Sequence, residues 1–320
     1  ETDTKNTDLP TTTTSVQTEP VTSTTENELE DLTLENFPVI DGSTSTISLD
    51  AYIRAAFLGI PYDEAEKSVV HTKTHQSFMN LINGEADAIF TVPVSEQQMM
   101  YASQKGVTKF EMVPAAREGF VFVVNANNPV DSLTQEQIRK IYSGEITNWK
   151  EVGGNDAEIH AFQRNKDSGS YNYMEEFMGE YELCETKEKS YYYSDMNGMM
   201  DSIGEYDNGL DSIGFSVYSF ASDKRFENIK FIAVDSIAPT EETLNYGTYP
   251  ISSYSYFMFR ADEPEDSYVR ELAEFIQSEE GQDAVERAGM IRTDGKKKGL
   301  YVNNLKPYTQ VGTGKKRPDE

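Results

Sequence analysis

A chain of 320 residues with 28 Lys+Arg against 55 Asp+Glu carries a formal charge of −27, which argues against nucleic acid or an anionic membrane surface as partner, because both are polyanions. A single cysteine, Cys184, excludes an intrachain disulfide and a thiolate metal cluster, and the longest apolar strings, such as Gly119–Val124, fall far short of the roughly 18 residues that span a bilayer. The length allows about two domains, and 11% aromatic with 26% charged residues is a globular composition.

Residues 1–36 hold nine acids and one Lys, and the first 25 contain 11 Thr and 2 Ser. Such a segment has too little apolar surface to offset its ordering entropy, so it is predicted to be a disordered tether. A removed export signal and an extracellular, surface-anchored protein are the expectation; an intracellular flexible tail is the alternative. From Phe37 onward helix and strand signals alternate, which predicts an α/β fold. Ile47–Phe57 reads as a helix stopped by Gly59, and Thr74–Ile82 as another, capped by Gly84. Ala86–Val92 reads as a buried strand ended by Pro93. Ser95 is placed to cap a helix over Glu96–Lys105, which Gly106 ends. Phe120–Asn125 is rich in β-branched and aromatic residues and reads as a strand. Thr134 and Gln137 have capping-box spacing and open a helix to Tyr142. Ile159–Arg164 is predicted as a strand and Ser168–Met178 as a helix. Ile213–Val217, Phe231–Val234 and Tyr254–Phe259 read as strands, and Ser267–Gln277 with Glu279–Ala288 as two closing helices. The basic run Lys296–Lys298 and the tail Gly312–Glu320 are expected to be exposed.

Three polar clusters precede predicted helices: Asp41–Thr46, His71–His75 and Arg164–Ser170. The first N–H groups of a helix lack intrahelical partners and, with the macrodipole, favour an anion. Ser and Thr hydroxyls add neutral donors, Gly169 admits a close backbone approach, and Arg164 offers a charge-assisted fork. If the three termini converge, they encircle a tetrahedral oxyanion. Taken singly, each cluster is also what an ordinary N-cap looks like, and Arg164 alone could be a surface ion pair.

The stretch Asn128–Gly154, NPVDSLTQEQIRKIYSGEITNWKEVGG, resembles the signature of phosphate-binding proteins of ABC transporters. As in that family, a strand and an Arg-x-x-x-Ser-Gly-Thr/Ser loop follow, here Arg164 to Ser170. Gly42–Ser45 resembles the family's opening Gly-Ser-Ser-Thr-like loop, Thr74 stands where it has a second-helix Ser, Asn83–Asp87 resembles its Asn-Gly-x-x-Asp turn, and Ser278–Gln282 its closing helix pair. The resemblance covers roughly residues 37–295. It implies a two-lobed, type II periplasmic-binding-protein-like fold with two mixed sheets, flanked by helices, that closes on inorganic phosphate. The donors it implies are Thr44, Ser45 and Thr74 from one lobe and Arg164, Ser168, Gly169 and Ser170 from the other. It also implies an ABC permease as partner, with no cofactor. One departure stands out. The family often has an Asp that accepts the proton of hydrogen phosphate, and here its counterpart is Val92. A buried acceptor is what rejects sulfate, so either another acceptor such as Asp167 replaces it or selectivity differs. Asp167 reads more readily as an ion pair that orients Arg164, and phosphate selectivity is the expected outcome.

Rival chemistry finds little support. His71 and His75 have the i, i+4 spacing of a zinc pair but no His-Glu-x-x-His pattern. Ser168 and Ser170 lack a Gly-x-Ser-x-Gly elbow. The Tyr191–Tyr193 and Met199–Met200 runs read as core and surface. The reading is a non-enzymatic, monomeric binding protein: a tether over 1–36, a first lobe over 37–118 that resumes over 253–306, a second lobe over 119–252 and a tail from 307. The chain is expected to cross between lobes near Ala116–Phe120 and Tyr249–Tyr256.

Overall fold

A computed structural model describes residues 32–185, 191–205 and 209–295. The tether up to residue 31, the basic run 296–298 and the tail lie outside them. In chain order the elements are β1 (Ile40–Gly42), a 3-10 turn (Thr44–Thr46), α1 (Ile47–Leu58), α2 (Tyr62–Ser68), α3 (Thr74–Asn83), β2 (Ala88–Thr91), α4 (Glu96–Gln104) and β3 (Phe110–Asn125). Next come β4 (Ser132–Leu133), α5 (Gln135–Ser143), a second 3-10 turn (Trp149–Val152), β5 (His160–Ala161), β6 (Gln163–Arg164), α6 (Gly169–Met178), β7 (Tyr192–Tyr193) and α7 (Met196–Gly204). The chain continues through β8 (Ser212–Val217), α8 (Tyr218–Ala221), β9 (Ile229–Phe231), β10 (Ala233–Val234), α9 (Glu241–Asn245), β11 (Ser252–Arg260), α10 (Tyr268–Gln277) and α11 (Glu279–Arg287).

Local hydrogen-bond chemistry explains many boundaries. Ser95 and Thr134 form full capping boxes with Gln98 and Gln137, and Ser267 and Ser278 cap α10 and α11. Gly59, Gly84 and Gly144 end α1, α3 and α5 in the left-handed conformation that only glycine adopts without strain.

A mixed sheet in the order β1-β2-β11-β3-β8-β5, with β9 also on β3, organises the molecule. The strand β3 belongs to both of its halves. Residues 110–119 pair antiparallel with β11, whereas 120–125 pair with β8 and β9. The crossing falls at Gly119, where a Cβ would sit 2.6 Å from Leu244 Cδ2, so the α9 side chain closes directly on the bare backbone. Each half buries its own core. Phe120, Phe122, Tyr142, Phe177 and Phe215 stack around one half, and Phe78, Leu81, Ile89 and Met258 fill the other.

The strand β3 is 16 residues long, against the six predicted. Its first half contains Pro114, which argues against a central strand. That half pairs in a ladder only with β11, and its other edge makes a single bridge, Arg117 to Ile291. Proline's missing N–H is tolerated on such an edge. The predicted strand Ile159–Arg164 is broken in two: β5 pairs with β8, and β6 turns away to pair with β7.

Among the described residues the first large core side chain is Phe37, 6.4 Å from the Phe57 ring and under the Arg54 guanidinium. A chain beginning at Phe37 is therefore expected to melt at the full-length temperature, as circular dichroism would show. A clear drop would mean that residues 1–36 pack on the domain.

Candidate functional site

The first two clusters lie side by side. The Gly42 carbonyl at the end of β1 accepts from Lys73 N–H at 3.1 Å, just before α3 begins. Lys73 sits at φ +79°, an uncommon conformation for a non-glycine residue. Neither α1 nor α3 has a side-chain cap, in contrast to α4 and α5. The capping explanation of these two clusters therefore fails, since no side chain takes up the N-terminal amides of α1 or α3. Ser43 Oγ lies 2.9 Å from Ser45 Oγ and 3.2 Å from Thr46 Oγ1. Thr44 is exposed at the start of the 3-10 turn, and Thr74 is buried at the start of α3.

The third cluster meets the second across the sheet. A Cβ on Gly169, the first residue of α6, would stand 2.8 Å from Thr74 Oγ1 and 2.8 Å from Val92 Cγ2. The N-termini of α3 and α6 thus converge on one point, with Val92 beside it. Asn172, one turn along α6, donates to the Pro93 carbonyl at 3.1 Å and to Gln98 Oε1 at 3.0 Å, holding the faces together. Ser168 is a true cap: its Oγ accepts from Tyr171 N–H at 3.2 Å. Ser170 is buried, with its Oγ 3.4 Å from that of Ser168.

Arg164 ends β6 and is buried. Its Nε donates to the Tyr193 carbonyl at 3.2 Å and its Nη2 to that of Ser194 at 3.4 Å. Among the described residues no carboxylate lies within ion-pair distance of it. Burial pushes its pKa down to about 10, with the Asp195 charge opposing that fall. It keeps its proton at neutral pH, with the Asp195 carboxylate acting on it from beyond ion-pair distance.

Asp167 does not orient Arg164. It stands 3.9 Å from His75 Nδ1 with a largely exposed side chain, so the acceptor role considered for it also loses its footing. Sequence reasoning missed Asn165, whose Oδ1 is buried with no hydrogen-bond partner. It missed the part played by His71 as well. The His71 ring has Asp50 and the Ser43 carbonyl as neighbours rather than His75, and no metal-ligating cluster occurs among the described residues.

The N-termini of α3 and α6 face one another in a two-halved sheet, with a buried cation in the loop that leads to α6, an arrangement suited to holding an anionic solute. The family model of the PBP superfamily domain matches residues 11–280, and the chain belongs to that family. Its relatives include the phosphate-binding protein PstS of Borreliella burgdorferi, 27% identical over 78% of this chain and 88% of the relative. That of a Staphylococcus epidermidis strain is 27% identical over 77% and 76%. Among solved structures, a candidate phosphate ABC transporter substrate-binding protein from Clostridium perfringens, with bound phosphate, has a TM-score of 0.60 and 27% identity, over 79% of this chain and 98% of its own. An ABC-type phosphate transport receptor from Vibrio cholerae has a TM-score of 0.60 and 25% identity, over 80% and 99%.

Proposed function

We propose that this chain captures inorganic phosphate outside the cytoplasm and delivers it, as a monomer, to the permease of an ABC importer. The observation that carries this reading is Arg164: a buried guanidinium with no carboxylate in ion-pair contact among the described residues, in the loop that leads to the N-terminus of α6. Thr44, Ser45, Thr74, Ser168, Gly169 and Ser170 complete the donor set. No bond is made or broken. Two lobes close, and the ligand binds the closed state better than the open one. The Thr/Ser/acidic composition of residues 1–36 suits a tether to the cell surface. The names and bound phosphate of the relatives support the substrate.

Selectivity then falls to Asn165. Its Oδ1 is an acceptor in need of a donor, and protonated phosphate brings one where sulfate does not. Calorimetry with phosphate, sulfate, arsenate and molybdate tests the whole reading. Phosphate is expected to bind, and sulfate to compete only at concentrations higher by about a hundredfold or more, the discrimination a buried polar partner supports. Asn165→Ala is expected to narrow that gap. Displacement of phosphate by sulfate at near-equal concentration would leave a general oxyanion receptor instead.

A further inference from the structure

Behind the first cluster lies a buried chain of charges that phosphate cannot touch. Arg54 and Asp50, one turn apart on α1, form a paired fork. Nη2 donates to Oδ2 at 3.0 Å and to Oδ1 at 3.2 Å, and Nε to Oδ1 at 3.3 Å. His71 Nε2 stands 3.1 Å from Asp50 Oδ2, and the side chains of His71 and Asp50 are 0% and 1% exposed. On its far side, His71 Nδ1 meets the Ser43 carbonyl at 2.8 Å. The ring edge presses so closely on the backbone that a Cβ on Gly42 would lie 2.8 Å from Cε1.

The partners dictate the protons. The Thr46 hydroxyl stands 3.5 Å from Nδ1 and donates to the Ser43 carbonyl at 2.9 Å, so the short contact of Nδ1 is with that carbonyl, which only accepts, and Nδ1 carries hydrogen. Asp50 is held as a carboxylate by the Arg54 fork, so it too only accepts, and Nε2 carries hydrogen as well. We propose that His71 is held as an imidazolium, and that its charge acts through the Ser43–Thr44 peptide as a positioning device for oxyanion capture. This rests on the phosphate reading above. In a trans peptide the C=O and N–H point in opposite directions. The imidazolium pulls on the Ser43 carbonyl, so the Thr44 N–H turns away from the buried chain. That N–H opens the 3-10 turn and has no partner within it. Polarisation along such a series strengthens the outward donor.

The other charged groups around His71 leave this assignment intact. Asp50 and Arg54 on α1 cancel each other. Asp41 on β1 is occupied by Gly42 N–H at 2.6 Å, Thr72 N–H at 2.7 Å, Thr72 Oγ1 at 2.6 Å and Asn80 Nδ2 at 2.7 Å. The strand β2 approaches with the Phe90 carbonyl and contains no titratable residue. The surplus positive charge therefore stays on the ring.

The test begins without ligand. In full-length protein labelled with ¹⁵N-histidine at neutral pH, both His71 ring nitrogens are expected to show one-bond couplings to hydrogen. One bare nitrogen overturns the proposal and leaves the phosphate reading standing. His71→Asn keeps an amide donor for the Ser43 carbonyl but removes the charge. It is expected to bind phosphate about tenfold more weakly, within the usual range of site-to-site coupling. The ratio of wild-type to variant affinity is expected to shrink as pH rises, because deprotonation removes what the variant already lacks. Phosphate's own titration cancels in that ratio. A ratio near one, or one that stays flat with pH, overturns the proposal. Failure of the wild-type protein itself to bind phosphate would instead strike the function proposed above.

Discussion

Arg164→Met is expected to abolish phosphate capture and, at the same time, to stabilise the ligand-free protein. Loss of a charge-assisted contact in a closed site costs about 2–5 kcal/mol of binding, a 30-fold to several-thousand-fold fall in affinity. The stability gain comes from the same burial. The folded-state pKa of Arg164 is pushed down by burial, from its ordinary value to about 10. The folded protein therefore holds this proton less tightly than the unfolded chain does. The charge destabilises the fold at every pH below about 10, and the penalty fades only as pH climbs from there toward the ordinary guanidinium value. At neutral pH that amounts to roughly 1–3 kcal/mol, which an apolar side chain of similar length would recover. Scanning calorimetry with and without phosphate checks both halves. The wild-type transition should rise with phosphate, and the variant's should start higher and stay put. Arg164→Lys should also lose affinity, because a point charge cannot reproduce the fork. Unchanged affinity in Arg164→Met would remove this loop from the site.

Gly169→Leu is the complementary experiment, aimed at closure rather than at charge. Even the Cβ falls 2.8 Å from Thr74 Oγ1 and from Val92 Cγ2, below the distance real Cβ atoms keep. Thr74 and Val92 are buried, so neither can swing aside into solvent. Relief requires separating α6 from α3. Overpacking of this kind costs about 1–3 kcal/mol, and on the proposed mechanism it is expected to fall on the closed state. Glycine is a poor helix former, so leucine does not harm α6 itself. The expected result is a ligand-free melting temperature close to wild type, with phosphate affinity reduced about tenfold or more. Small-angle scattering should show no compaction on phosphate addition. Wild-type affinity would mean that the ligand site lies elsewhere.

Where structure depends on neighbours in the chain, the residues were readable. Ser95, Thr134, Ser267 and Ser278 each satisfy the amide three positions on, and the caps at Ser95 and Thr134 fall where the sequence puts them. The first half of β3 was not readable, because Pro114 and Glu118 look unlike a strand. Pro114 is tolerated on a free edge, and Glu118 is occupied by three donors: Gly119 N–H, Ser219 N–H and Ser219 Oγ. The two Ser219 donors come from a hundred residues away, beyond any local pattern. The candidate site divides in the same way. The Arg164–Ser170 loop stands out as a motif, and Gly169 as the place for a close approach. Arg164 feels the charge of Asp195 rather than of Asp167, against what an Asp three residues later suggests, because the turn carries Asp167 toward His75 instead. The link of His71 to Asp50 spans 21 residues and two elements, so an i, i+4 pair with His75 was the nearer but wrong reading.

The unbroken run of β3 through both halves of the sheet has a mechanical consequence. The molecule has no pin joint at Gly119. Any opening of the cleft must twist a continuous hydrogen-bonded ribbon, with β11 entering beside it at Ser252. Torsion of a ribbon stores elastic energy in proportion to angle squared, so small excursions are nearly free and large ones are resisted. Leu244, wedged against Gly119, adds a detent that has to be disengaged before the ribbon turns far. A protein sprung in this way is expected to resist wide opening through its own stiffness rather than yield through the slack of a flexible linker.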